Sequence, residues 1–175
     1  MNELYRLDAD ELPWLPNPHD CVIKTILVDQ DNQCISFVFE DDISGYDSIA
    51  YQRPNAKSLV IKYHFYSNVE DYELYKSMKP SLWHRHGGYK CLTEPIKNGK
   101  HDALIKLTKY SLEYLHHFVE YKDMIIHLWA DTSIVLRLNV DTVEYEWIYW
   151  PLLLELCHWY ESLDEFVRNF DCLFY

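Results

Sequence analysis

Between Met124 and Trp150 apolar side chains recur at alternate positions, and this pattern constrains the fold more than any other feature of the chain. Side chains of a strand project to opposite faces in turn, so such a run describes half-buried strands rather than a helix. Met124–Ala130 and Ile134–Val140 flank Asp131-Thr132-Ser133, a cluster of turn-forming residues. Ile134, Leu136, Leu138 and Val140 alternate with Val135, Arg137 and Asn139. A third run, Val143–Trp150, sets Val143, Tyr145, Trp147 and Tyr149 opposite Glu144, Glu146, Ile148 and Trp150. Three antiparallel strands in a meander are expected here.

The earlier chain adds strands of the same kind. Cys21–Val28 and Cys34–Phe39 are rich in β-branched and aromatic residues and are joined by Asp29-Gln30-Asp31-Asn32, which reads as a β-hairpin. Ser58–Phe65 is a further strand, with Leu59, Ile61, Tyr63 and Phe65 on one side and Lys62 and His64 on the other. Residues 1–18 hold Pro13, Pro16 and Pro18 and read as an N-terminal arm or loop. Residues 41–54 read as a loop, and residues 66–100 as a long polar one with room for a short helix around Val69–Met78. His101–Val119 fits helix or strand. Pro151 suits a first helical position, and Leu152, Leu156, Trp159, Leu163, Phe166 and Phe170 make a helical stripe. Ser162-Leu163-Asp164-Glu165 matches a capping box, so two helices meeting there are expected. The expected fold is one α+β domain over residues 1–175. Its antiparallel sheet has about five to seven strands, with a C-terminal helical segment packed on one face.

Composition narrows the function classes. Of the 175 residues, 49% are apolar and 16% aromatic, enough for a packed core and against disorder. The formal charge of −12 argues against nucleic acid as a partner. No run approaches the ~18 apolar residues of a membrane span, so no membrane partner is expected. The acidic start, MNELYRLDADELPW, is unlike a secretory signal. Five cysteines without CxxC spacing read as reduced thiols, and the cytoplasm is the expected compartment. The charge is uneven. Residues 1–50 carry 11 acidic and 2 basic side chains, residues 51–110 carry 5 and 11, and residues 111–175 carry 12 and 3. A basic middle therefore lies between acidic ends, which either neutralise it within the fold or form separate patches.

Motifs for chemistry are sparse. Trp83-His84-Arg85-His86-Gly87-Gly88 is followed by Cys91 and His101, and alternate histidines on an extended segment point the same way. His84, His86, Cys91 and His101 are thus candidate metal ligands, although their spacing fits no standard zinc pattern. On that basis a metal-dependent hydrolase is an alternative, and no cofactor is otherwise expected. His116-His117 cannot share one ion easily, because adjacent side chains diverge on a helix or a strand. There is no G-x-S-x-G elbow, no GxxxxGK[ST] loop and no GxGxxG.

Acidic groups suggest a binding role instead. Glu40, Asp41, Asp42 and Asp47 fall in a loop after a strand, with Tyr46 beside them, and Glu144 and Glu146 share one strand face. Carboxylates speed association with a basic protein, and aromatic side chains are favoured interface anchors. The segment Pro18-His19-Asp20 through Asp41, a strand, an acidic turn and a second strand, resembles the first hairpin of small bacterial domains, some of them similar to toxin immunity proteins. The resemblance implies a non-enzymatic, protein-binding domain, an immunity-type inhibitor of a basic toxin. A structural or homodimerising protein is the remaining expectation.

Overall fold

Alternation produces the strands it predicts, but the sheet they build curves round until its first and last members meet. In the computed structural model, which describes residues 1–9, 11–77, 93–96 and 99–150, the strands are β1 (Asn2–Arg6), β2 (Val22–Asp29), β3 (Cys34–Phe39), β4 (Ala56–Phe65), β5 (Tyr72–Ser77), β6 (Thr93–Pro95), β7 (Leu112–Glu120), β8 (Asp123–Trp129) and β9 (Ser133–Tyr149). Between them lie a 3-10 turn (Ile43–Gly45) and two short helices, α1 (Asp47–Gln52) and α2 (Lys100–Leu107). Every strand pairing is antiparallel. The order β4-β3-β2-β7-β8-β9 is closed by a further pairing of β9 with β4, so the sheet is barrel-like. Closure pairs the two edges that the β4–β9 run would leave open in a flat sheet, while β1 and β6 lie beside the ring.

The β2–β3 hairpin stands where the sequence places it. The Asp29 carboxylate accepts the Asn32 backbone N–H at 2.9 Å and its side-chain amide at 2.7 Å, which fixes the turn. Ile35, Phe37 and Phe39 are buried, as are Leu59, Ile61, Tyr63 and Phe65 of β4. Those rows meet Val143, Tyr145 and Trp147 from β9 in a single core whose largest side chains include Trp147, Tyr63, Tyr114 and Tyr145.

Several expectations are corrected. The α+β class is overturned: among the described residues there are nine strands rather than five to seven, and the α-helices are only six and eight residues long. The sheet's apolar face is covered by its own far strands, so it needs no helical layer. The C-terminal helical stripe from Leu152 to Phe170 lies outside the described residues. The meander of three strands is two, because β9 runs unbroken through Asp141. Inward positions shift from Ile134, Leu136, Leu138 and Val140 to Val143, Tyr145 and Trp147. Pairing with β4 steps from His64↔Thr142 to Phe65↔Val140, leaving Asp141 as the extra residue of a β-bulge.

The N-terminal segment is not loop throughout, since β1 pairs with β9 in the register Asn2↔Glu146 to Arg6↔Thr142. Tyr72–Ser77 forms β5, in place of the short helix expected around Val69–Met78, and His101–Val119 divides between α2 and β7. Closure is thinnest between β2 and β7, which pair only at Val22↔Glu113 and Ile23↔Leu112. Helix α2 packs beside β2 with Leu104 and Leu107 buried. From the arm, Leu7 and Leu15 are buried, and the Tyr145 hydroxyl donates to the Pro16 carbonyl at 2.9 Å.

Candidate functional site

The loop between β3 and β4 carries the predicted acidic residues and is held firmly at its base. Ile43 and Ile49 are fully buried and anchor it to the core. The Glu40 backbone N–H donates to the Val22 carbonyl at 3.0 Å and that of Asp42 to Lys57 at 2.6 Å. Asp42 itself sits in the left-handed region, at φ 65°, a conformation Asp tolerates better than most residues. Its carboxylate accepts the Ser44 hydroxyl at 2.6 Å. What remains outward is a charged rim: Asp41, Asp42 and Asp47 are all exposed. Lys24 reaches Asp41 at 3.3 Å, but both side chains are well solvated, so the pair is weak.

Tyr46 is half-buried rather than presented. Its hydroxyl donates to the Glu40 carboxylate, and burial first, then that carboxylate, raises its pKa. The aromatic group that the loop does offer is Tyr51, 92% exposed, which the sequence reading missed. It lies on α1 four residues after Asp47, so the two share a helix face. An Asp-x-x-x-Tyr spacing in a helix would have marked it, but the segment reads as loop from its sequence.

Glu144 and Glu146 belong to another place. They project from β9 toward β4, where Lys62 Nζ lies 3.4 Å from Glu144 and 3.1 Å from Glu146. Asn2 donates to Glu144 at 3.0 Å, and His64 Nε2 stands 3.5 Å from its other oxygen. Hydrogen bonding to Glu146 is the first cause that raises the Lys62 pKa. Lys62 is five residues along β4 from Lys57, the loop's attachment point, hence roughly 16 Å away at the rise of an extended strand. The two acidic groups are therefore not one patch, and the second is partly neutralised within the fold by Lys62.

Of the four candidate metal ligands, His84, His86 and Cys91 lie outside the described residues. His101 stands in the first turn of α2, with Nδ1 2.9 Å from the Tyr72 hydroxyl and Nε2 3.8 Å from Glu70. Among the described residues no three His, Cys, Asp or Glu side chains converge on a common point. The thiols of Cys21 and Cys34 are free and buried, and burial is the main cause that pushes Cys21 up to about 12 and raises Cys34. Neither is held as the thiolate that nucleophilic chemistry needs.

The structure also creates a neighbourhood invisible in the linear chain. A register shift at Leu115 turns His116 to the outer face of β7 and His117 to the inner one. His117 Nδ1 lies 2.9 Å from the buried Tyr114 hydroxyl, whereas His116 faces His127 of β8 across the hairpin. Phe118 and Trp129, 59% and 44% exposed, stand on the same outer face.

Fold and surface together define a class, a mainly antiparallel β-protein with a closed sheet and an acidic, tyrosine-bearing loop at one end of β4. Compared with protein-family models, curated proteins and solved structures, the chain finds no match.

Proposed function

We propose that the protein is a non-enzymatic binding domain that offers the loop Asp41, Asp42, Asp47 and Tyr51 to a basic protein partner. The observation that carries this reading is Tyr51, a large aromatic side chain left 92% exposed beside three solvated carboxylates, on a loop whose base is pinned by Ile43 and Ile49. A rigid base lowers the entropy lost when the loop is captured, and exposed carboxylates steer a cationic surface toward it. Tyr46, engaged with Glu40, supports the loop from within, and Glu144 and Glu146 take no part because Lys62 already occupies them. The N-terminal hairpin's resemblance to immunity-type domains supports the particular form of this proposal, in which a basic toxin is neutralised in the bacterial cytoplasm. Among the described residues no helix is long and apolar enough to cross a membrane.

The test starts with affinity capture from the native host, followed by binding kinetics with the captured basic protein. Neutralising the rim with Asp41→Asn, Asp42→Asn and Asp47→Asn should slow association several-fold at low salt and leave dissociation nearly unchanged. Tyr51→Ala should instead speed dissociation by about tenfold or more, as anchors at interface centres do. Added salt should erase the difference in association rate, because screening limits exposed charges to about 8 Å at physiological ionic strength. Loop variants that bind like the parent protein at every salt concentration would refute the proposal.

A further inference from the structure

We propose that His116 and His127 form a two-imidazole chelating site for a late first-row divalent transition ion, with Cu2+ the preferred one. The two residues are direct cross-strand partners in the β7–β8 hairpin, and their ring centroids are 4.4 Å apart with planes inclined by 33°. Two imidazole nitrogens bound side by side to one ion at ~2.0 Å place their ring centroids roughly 4.5–5 Å apart. The free protein already holds its rings near that separation. A paired hairpin is a stiff support, and stiffness matters because a chelate gains over a single ligand only when the second donor is already in place.

The surroundings fit this use. The Phe118 ring stands edge-on to both imidazoles, with centroids 5.2 Å from His116 and 5.9 Å from His127, and it screens one side of the pair. Val135 of β9 opposes His127, and Ile125 of β8 opposes Phe118, so the pair has apolar neighbours along the face. Arg137, opposite Ile125, is held at 2.7 Å by Asp123, which offsets its charge. Two nitrogen donors with the remaining positions left to water suit Cu2+ above Ni2+ and Zn2+ in the usual order of affinity. The pair does not draw on the acidic loop and stands whether or not that loop binds a partner.

The experiment titrates CuCl2 into the full-length, metal-stripped chain, read by calorimetry and by electron paramagnetic resonance. The tightest equivalent should show coupling to two imidazole nitrogens. His116→Gln and His127→Gln should each weaken it at least tenfold and leave single-nitrogen coupling, and the double variant should lose little more. His84→Ala with His86→Ala should bind this equivalent as the parent does. A folding check by circular dichroism accompanies each variant. The parent protein also gives a result that needs no substitution: substoichiometric Cu2+ should broaden the imidazole resonances of His116 and His127 together. Unchanged affinity in both single variants, loss confined to the His84/His86 variant, or broadening of other histidines first would each overturn the proposal.

Discussion

The extra residue at Leu115 decides which of two adjacent imidazoles faces the core. His117 faces the core beside Tyr114, and burial, followed by repulsion from His116, pulls it from the ordinary 6.5 down to about 4. A histidine depressed in the folded state is neutral there while the unfolded chain still takes up a proton, so its contribution is whole above 6.5 and is lost as pH falls toward 4. The loss should amount to about 2–3 kcal/mol across that window. Urea unfolding at pH 7, 5.5 and 4 checks this. Stability of His117→Gln should fall less steeply than that of the parent, and parallel profiles would show that His117 does not carry the effect. The divergence of His116 and His117 is legible from their adjacency alone. The partnership of His116 with His127 follows from one further fact, the turn at Tyr121-Lys122. Counting outward from it pairs Glu120 with Asp123 and His116 with His127. A segment that fits helix and strand equally gives no turn to count from, so the pair stays hidden.

β9 shows how an element can be read correctly at every residue and still be miscounted. The inward residues of both halves are evident from alternation, but a change of face between Val140 and Val143 has two causes, a turn or a bulge. Sequence offers Asp141-Thr142 at the change, residues common in turns, and local preference points to a break. What keeps the strand continuous is partners on both edges. β8 and β5 flank its first half, β1 and β4 flank its second, and the Asp141 carbonyl accepts the Leu7 N–H at 2.7 Å. The bulge therefore sets the register of everything after it. Deleting Asp141 should turn Val143, Tyr145 and Trp147 outward, or force the whole second half to re-pair, and should leave little folded protein. Asp141→Ala keeps the residue count and should cost no more than about 1 kcal/mol. Soluble yield and urea midpoints of the two variants decide the matter, and a deletion as stable as the alanine variant would refute the bulge. The acidic loop shows the same limit, since α1 is only six residues long and too short for periodicity to reveal.

Across the whole molecule, the sheet is closed by the pairing of β4 with β9, segments far apart in the chain. β1 pairs with β9, and the Met1 amino group donates to the Trp147 carbonyl at 2.9 Å. Such long-range pairing must be reached before it stabilises anything, so refolding should take milliseconds to seconds, as in other sheet proteins. Stopped-flow fluorescence from buried Trp147 would follow it, and full recovery within a millisecond would contradict the closed topology. Charge follows the same closure. Arg53 and Lys62 of the basic middle reach Glu3 at one end and Glu144 and Glu146 near the other, so part of the segregation seen along the chain vanishes in space. By itself, the sequence determines the regularly alternating strands β2, β3, β4, β8 and both halves of β9, and which side of each is apolar, because those depend on side-chain alternation within a few neighbours. It also determines that the β3–β4 connection is acidic. Tertiary structure alone decides that the sheet closes, that one strand is bulged rather than broken, and which carboxylates stay free. It likewise decides that His116 meets His127. Each of these depends on the pairing of distant segments, an interaction that no local pattern encodes.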